Sequence, residues 1–67
     1  MTIAKVIEVL AQSSEGWQEA TEVALQEAQK TVRNITSIYI KDMQCDVENG
    51  QIAQYRVNAK ITFLVEG

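Results

Sequence analysis

Histidine and proline are absent from this chain, and cysteine occurs once, at Cys45. Without histidine there is no imidazole to act as acid or base near neutral pH, and none to activate Cys45 as a nucleophile. A structural zinc site needs several Cys and His ligands, so none is expected. A single cysteine forbids an intrachain disulfide, and a lone thiol fits a reducing cytoplasm. Glycine is scarce as well: Gly16 and Gly50 stand isolated, so no Gly-rich phosphate loop exists. Basic residues number six against nine acidic ones, a net charge of −3, so the basic stripe of a nucleic-acid binder is missing. No apolar run approaches the roughly 20 residues of a membrane-spanning helix. Glu8 interrupts the only N-terminal stretch that resembles an export signal. Together these absences point away from an enzyme and towards a binding or structural protein.

The chain has 67 residues and reads as one domain, 1–67. A domain of this size buries only about 60% of its unfolded surface and is marginal alone. Such chains lean on disulfides, a metal or oligomerisation. A disulfide and a structural zinc are argued against above, so self-association is the expectation.

Asn49-Gly50 is the strongest local signal. Both residues tolerate positive φ, which a two-residue type I′ turn requires. Strand-like sequence flanks it, over Ile38–Val47 before and Ile52–Val65 after. In the second stretch Ala53, Tyr55, Val57, Ala59, Ile61, Phe63 and Val65 alternate with Gln54, Arg56, Asn58, Lys60 and Thr62. Period-two alternation marks an antiparallel strand with one covered face. Ile38 and Ile40 join the covered face, and Ser37, Tyr39 and Lys41 the polar one. Lys5–Leu10 is rich in β-branched residues and predicts a first strand. Ser13-Ser14 then offers a helix N-cap, with Glu15 in the first turn. Trp17, Ala20, Ala24, Ala28 and Val32 recur at helical spacing, predicting a helix over Glu15–Val32 with Lys30 and Arg33 in its last turns. The three alanines allow a close approach to a sheet, and Trp17 reads as a core anchor.

The predicted class is α+β: a β-α-β-β chain whose three-stranded antiparallel sheet wraps one helix. One helix covers one face. The other must meet water, a ligand or further copies. Its residues (Ser37, Tyr39, Lys41, Gln54, Arg56, Asn58, Lys60) suit either a solvated or intersubunit face or a ligand pocket. Asp42, Asp46 and Glu48 gather around the hairpin and could offer oxygen ligands to a hard cation such as calcium. Their spacing matches no calcium loop, and solvated carboxylates are the plainer reading. A symmetry axis could still collect one carboxylate from each copy.

Four stretches carry a family resemblance: Ala4–Val9, Ser13–Ala20, Ala28–Ile35 and Tyr55–Phe63. In length, element order and the spacing of these blocks the chain resembles the dodecins, small β-α-β-β proteins that bind flavin. The resemblance implies a hollow homododecamer with flavins bound in pairs at two-fold contacts. It also implies a tryptophan stacked on the flavin ring, a glutamine at the ring's edge and an acid near the ribityl chain. Carried over by position, the tryptophan falls at Ser37, the glutamine at Arg56 and the acid at Asp42. Only the acid matches. Tyr39, two residues from Ser37, is the one aromatic able to substitute in part. The expectation is a non-enzymatic, cytoplasmic shell that binds or stores a flavin-type molecule, riboflavin or FMN, weakly. The alternative is a flavin-free scaffold with calcium at Asp42, Asp46 and Glu48, or a purely structural role; dodecin-like proteins without the tryptophan have been linked to calcium. Neither nucleic acid nor membrane is an expected partner.

Overall fold

A computed structural model describes residues 2–66. The elements are β1 (Thr2–Ser13), α1 (Trp17–Gln29), β2 (Ile35–Glu48) and β3 (Gln51–Glu66). The strand order is β1-β3-β2 and both pairings are antiparallel. The alternating strand therefore lies in the centre, and β1-α1-β2 crosses over it. All three strands run longer than their β-branched cores suggest, because ladder hydrogen bonds to β3 recruit the polar flanks of β1 and β2.

α1 packs on one face through Ala20, Ala24 and Ala28, which are buried against Ala11, Val57, Ala59 and Ile61. Ile7, Val9, Val32, Ile35, Ile38 and Ile40 pack around this cluster. α1 is shorter at both ends than its periodicity suggests. Ser13 Oγ accepts the Glu15 backbone N–H at 2.9 Å, forming a turn before the helix rather than capping it; Gly16 is the N-cap, without a side-chain cap bond. At the other end Thr31 and Val32 both donate to the Ala28 carbonyl, and Asn34 (φ 61°) turns the chain into β2. Lys30 and Arg33 consequently lie beyond the last helical turn, not within it. Trp17 stands edge-on to Tyr55, with ring centroids 5.1 Å apart, and stays 36% exposed: a flank of the core rather than its anchor.

The helix has 13 residues, so it is about 20 Å long. The molecule measures 52 Å along its longest axis. A single helix therefore covers less than half of the length. β1 pairs with β3 only as far as Ser13 opposite Tyr55. Beyond that point residues 46–54 form a two-stranded arm with no third strand beside it. Val47 and Ile52, paired across this arm, are 63% and 53% exposed.

Asn49 (φ 52°) and Gly50 (φ 75°) both take the left-handed conformation that the turn demands. A Cβ on Gly50 would meet nothing within 4 Å, so Gly50→Ala introduces only backbone strain. We expect a loss of about 1 kcal/mol, read from the urea midpoint. An unchanged midpoint would show that the turn does not hold the register.

β2 carries two extra residues against β3, at Thr36 and Lys41, and β3 carries one against β2, at Ala53. These bulges reset which side chains face which way. Lys41, expected on the polar face, is instead the unpaired residue. Asp42 takes the place beside the central strand, opposite Asn58.

Candidate functional site

The face of the sheet turned away from α1 is built from alternate residues of all three strands. β3 supplies Gln54, Arg56, Asn58, Lys60 and Thr62. Pairing places Gln12, Leu10, Glu8 and Val6 of β1 beside the last four of these in turn. On the other side β2 supplies Asp46, Gln44, Asp42, Tyr39 and Ser37, beside Gln54, Arg56, Asn58, Lys60 and Thr62. Paired residues of neighbouring strands point to the same face. Among the described residues no helix or loop packs over this surface.

Ser37, Tyr39, Asp42 and Arg56 thus share one face, but they are not all brought together. Asp42 is a diagonal neighbour of Arg56, one pair along the ladder. Ser37 pairs with Thr62, six residues from Arg56. At the rise of a β-strand that is about 20 Å. Tyr39 pairs with Lys60, four residues from Arg56, or about 14 Å away. Two half-sites result: Ser37 with Tyr39, and Asp42 with Arg56.

Arg56 is the organising residue of the second half-site. Its Nη2 donates to Asp46 Oδ2 at 2.6 Å, and Nε and Nη2 both reach Gln12 Oε1 at 3.4 Å. The guanidinium is thereby held across the three strands. Arg56 and Asp46 are each little more than a third exposed, so this is a surface ion pair, worth under about 1 kcal/mol. Shallow hollows of about 210 and 330 Å³ open beside the arginine. Leu10 and Arg56 line both, and Asp42, Gln44 and Asn58 line the smaller one. Asn58 Oδ1 is buried there without a hydrogen-bond partner. A third hollow, of about 400 Å³, lies at the far end of the molecule between residues 31–34 and 63–65.

The three candidate cation ligands do not converge within one chain. Asp42 and Asp46 face the same way on β2 but sit four residues apart, about 14 Å along the strand. Asp46 is engaged by Arg56, and Glu48 lies at the hairpin end opposite Gln51. Among the described residues no group of three or more acidic, histidine or cysteine side chains is placed to hold a metal ion.

Three features of this face were not read from the sequence. β1 contributes Val6 (56% exposed) and Leu10 (70%), an apolar margin beside the polar centre. The alternation of Val6, Glu8, Leu10 and Gln12 carried that signal. The Asp46–Arg56 pair depends on the bulge at Ala53, for which the sequence holds no clear mark. The two residues paired directly with Asn58 give its Oδ1 no donor, since Leu10 is apolar and Asp42 is a carboxylate.

No helix among the described residues is long and apolar enough to cross a membrane. Comparison with curated proteins gives no match. Solved structures do match closely. A dodecin variant from T. thermophilus superposes with a TM-score of 0.94 at 25% identity, covering 100% of both chains. Dodecin from Streptomyces coelicolor gives 0.93 at 27% identity, covering 98% of this chain and 94% of that one. Calcium dodecin from Mycobacterium tuberculosis, described as a calcium-chelating antigen with a calcium-binding site, gives 0.80 at 27% identity, covering 91% and 87%. The dodecin family's own sequence model matches residues 3–66. Element order, strand order, an open sheet face and this match across nearly the whole length agree, and the chain belongs to the dodecin family.

Proposed function

We propose that the protein is a non-enzymatic homododecameric shell that holds a small planar molecule of the flavin type, weakly, at contacts between copies. One observation carries this reading. Ser37 and Tyr39 lie on the same uncovered face as Asp42 and Arg56, but about 20 and 14 Å from Arg56 respectively along the strands. One fused-ring system cannot touch Ser37 and Arg56 of the same chain at once, since about 20 Å of strand separates them. A second copy laid face to face can bring one half-site against the other, so the site is completed by assembly. Membership of a flavin-binding family supports the ligand class, and Ser37 and Arg56 account for the weakness. The lone Cys45 suits a cytoplasmic setting. The decisive experiment is mass analysis of molecules released on denaturing the native oligomer. Recovery of a planar heterocycle in stoichiometric amount supports the reading, and an empty oligomer removes the storage role.

A second reading has its own observation. Asp42 makes no ion pair among the described residues, and its family includes a calcium dodecin. Assembly multiplies a net charge of −3 per chain, and that repulsion opposes compact packing. A divalent cation shared between copies would offset it through oxygen ligands that one chain cannot supply. Calcium is then expected to raise the melting temperature. At a hundred times its dissociation constant a ligand contributes about 2.7 kcal/mol per site. Asp42→Asn should reduce that gain. Asp46→Asn should reduce it less, because Arg56 already occupies the carboxylate. Melts with calcium and with chelator, at matched ionic strength, measure this. Identical midpoints would leave Asp42, Asp46 and Glu48 as solvated carboxylates.

A further inference from the structure

The fold does not account for Asn58. It lies on the central strand between Leu10 and Asp42, with Arg56 two residues before it and Lys60 two residues after. Its Oδ1 is buried and accepts no hydrogen bond from the described residues. A buried acceptor without a donor is a net destabilising feature, and an apolar side chain of similar size would remove it. The two flanking positions cannot repair it, since one is apolar and the other accepts only. Both flanking side chains are themselves exposed, and Leu10 is 70% so. A rotamer change at Leu10 is therefore open to it on its outer side.

Beside this acceptor lies a fixed donor. Asp46 and Gln12 hold Arg56 through Nε and Nη2, and Nη1 takes part in none of these bonds. An unused acceptor and an unused donor thus stand at consecutive same-face positions of one strand, about 7 Å apart at their backbones. Leu10 offers an apolar surface next to both, and the hollow of about 210 Å³ opens over Leu10, Arg56 and Asn58.

We infer that Asn58 is the specificity-determining contact of this face: Oδ1 accepts the ring N–H of an imide- or lactam-edged planar heterocycle whose neighbouring carbonyl takes Arg56 Nη1–H and whose body lies over Leu10. The inference rests on the flavin-type reading above and gives that site its polar reader. Arg56 alone cannot serve, because a guanidinium offers donors only. The polar edge is read instead by a residue one pair along the ladder.

The test uses two ligands that differ in a single N–H: lumiflavin and 3-methyllumiflavin. Native oligomer is titrated with each, followed by flavin fluorescence and calorimetry. The same is done with Ser37→Trp, which strengthens binding by stacking while leaving Arg56 and Asn58 in place. Lumiflavin should bind about tenfold more tightly than its methylated form in both proteins. Asn58→Leu should bring lumiflavin down to the level of the methylated ligand, with a melting temperature unchanged or raised. Equal affinities for the two ligands would overturn the role of Asn58 and leave a flavin site read by other groups. Discrimination that survives Asn58→Leu would overturn it in the same way. An Asn58→Leu protein that melts earlier or falls to smaller species would make Asn58 an assembly contact instead. Failure of both ligands to bind in either background would remove the flavin-type reading itself.

Discussion

Light scattering at micromolar concentration should find a particle of about twelve times 7.5 kDa and no folded monomer. Its melting temperature should rise with protein concentration, because dissociation and unfolding are one event. The reason is the poverty of the core. Among the described residues the buried hydrophobic ones are five alanines (Ala11, Ala20, Ala24, Ala28, Ala59) with Val57 and Ile61. Alanine side chains remove little apolar surface from water, whereas ordering each residue costs about 1–2 kcal/mol of backbone entropy. Large apolar side chains are present but lie outside: Val6, Leu10, Met43, Val47 and Ile52 are all more than half exposed. Residues 46–54 form a bare two-stranded arm, an element marginal in water by itself. Burial of these surfaces between copies would supply what the single chain lacks. A charge placed there should be severe. Leu10→Lys on the open face combined with Val47→Lys on the arm should abolish the large particle at micromolar concentration and leave largely unfolded chain. A double variant that unfolds cooperatively as a stable monomer would contradict this account, as would a folded monomer of the unmodified protein.

The fold is legible in the sequence where local chemistry and burial agree. Asn49-Gly50 demanded positive φ at two successive residues, and both have it. The alternation from Ala53 to Val65 belongs to the one strand that is paired on both sides and covered by the helix, so its pattern is the cleanest. The small stripe Ala20, Ala24 and Ala28 marked the buried side of α1. Helix ends were read too generously. Ser13 can bond the backbone in a turn as readily as at a cap, and it does the former. Val32 continues the apolar stripe although the chain has already left the helix, because its loop still packs on the core.

The face that the candidate residues share was legible by position, but their connections were not. Ser37, Tyr39, Asp42 and Arg56 do share one face. What was hidden is register. A two-residue turn fixes Glu48 opposite Gln51, and an unbroken ladder from there would set Asp46 against Ala53 and Asp42 against Val57. The bulge at Ala53 shifts the pairing, sets Asp46 against Gln54 and brings Arg56 within its reach. The bulge at Lys41 shifts it back, so that Tyr39 and Ser37 stay on the open face. Neither bulge contains glycine, so neither announces itself in composition. The paired neighbours that deny Asn58 a donor, Leu10 and Asp42, come from two separate strands and emerge only once both pairings are known.

The replacement of Ser37 by tryptophan together with Arg56 by glutamine should raise affinity for riboflavin and FMN about tenfold or more. Ser37 offers no π-face, and stacking of an aromatic side chain on a flat heterocycle is worth about 1–3 kcal/mol by analogy with nucleobases. Tyr39, 65% exposed on the same face, is expected to supply part of that contact in the native protein. Trp17 cannot, since it lies at the start of the helix against Tyr55. Ser37 is exposed on an outer strand beside Thr62, so an indole there overpacks nothing within the chain. The change at Arg56 acts twice. Glutamine both donates and accepts, so it can meet a ring edge carrying N–H and C=O together. It also frees that edge from Asp46, which now holds the guanidinium at 2.6 Å. Losing the ion pair should leave the fold intact, because Asp46 is partly exposed and can be solvated in its place. The single changes separate the two effects: Ser37→Trp should quench bound flavin fluorescence by stacking, and Arg56→Gln should sharpen selection for a ring N–H. Tyr39→Ala in the native protein should weaken binding further. The measurement is fluorescence titration of native and variant oligomers under one buffer. Tight, strongly quenching flavin binding by the unmodified protein would show that Ser37 and Arg56 do not weaken the site, and a double variant no tighter than native would place the flavin elsewhere on the particle.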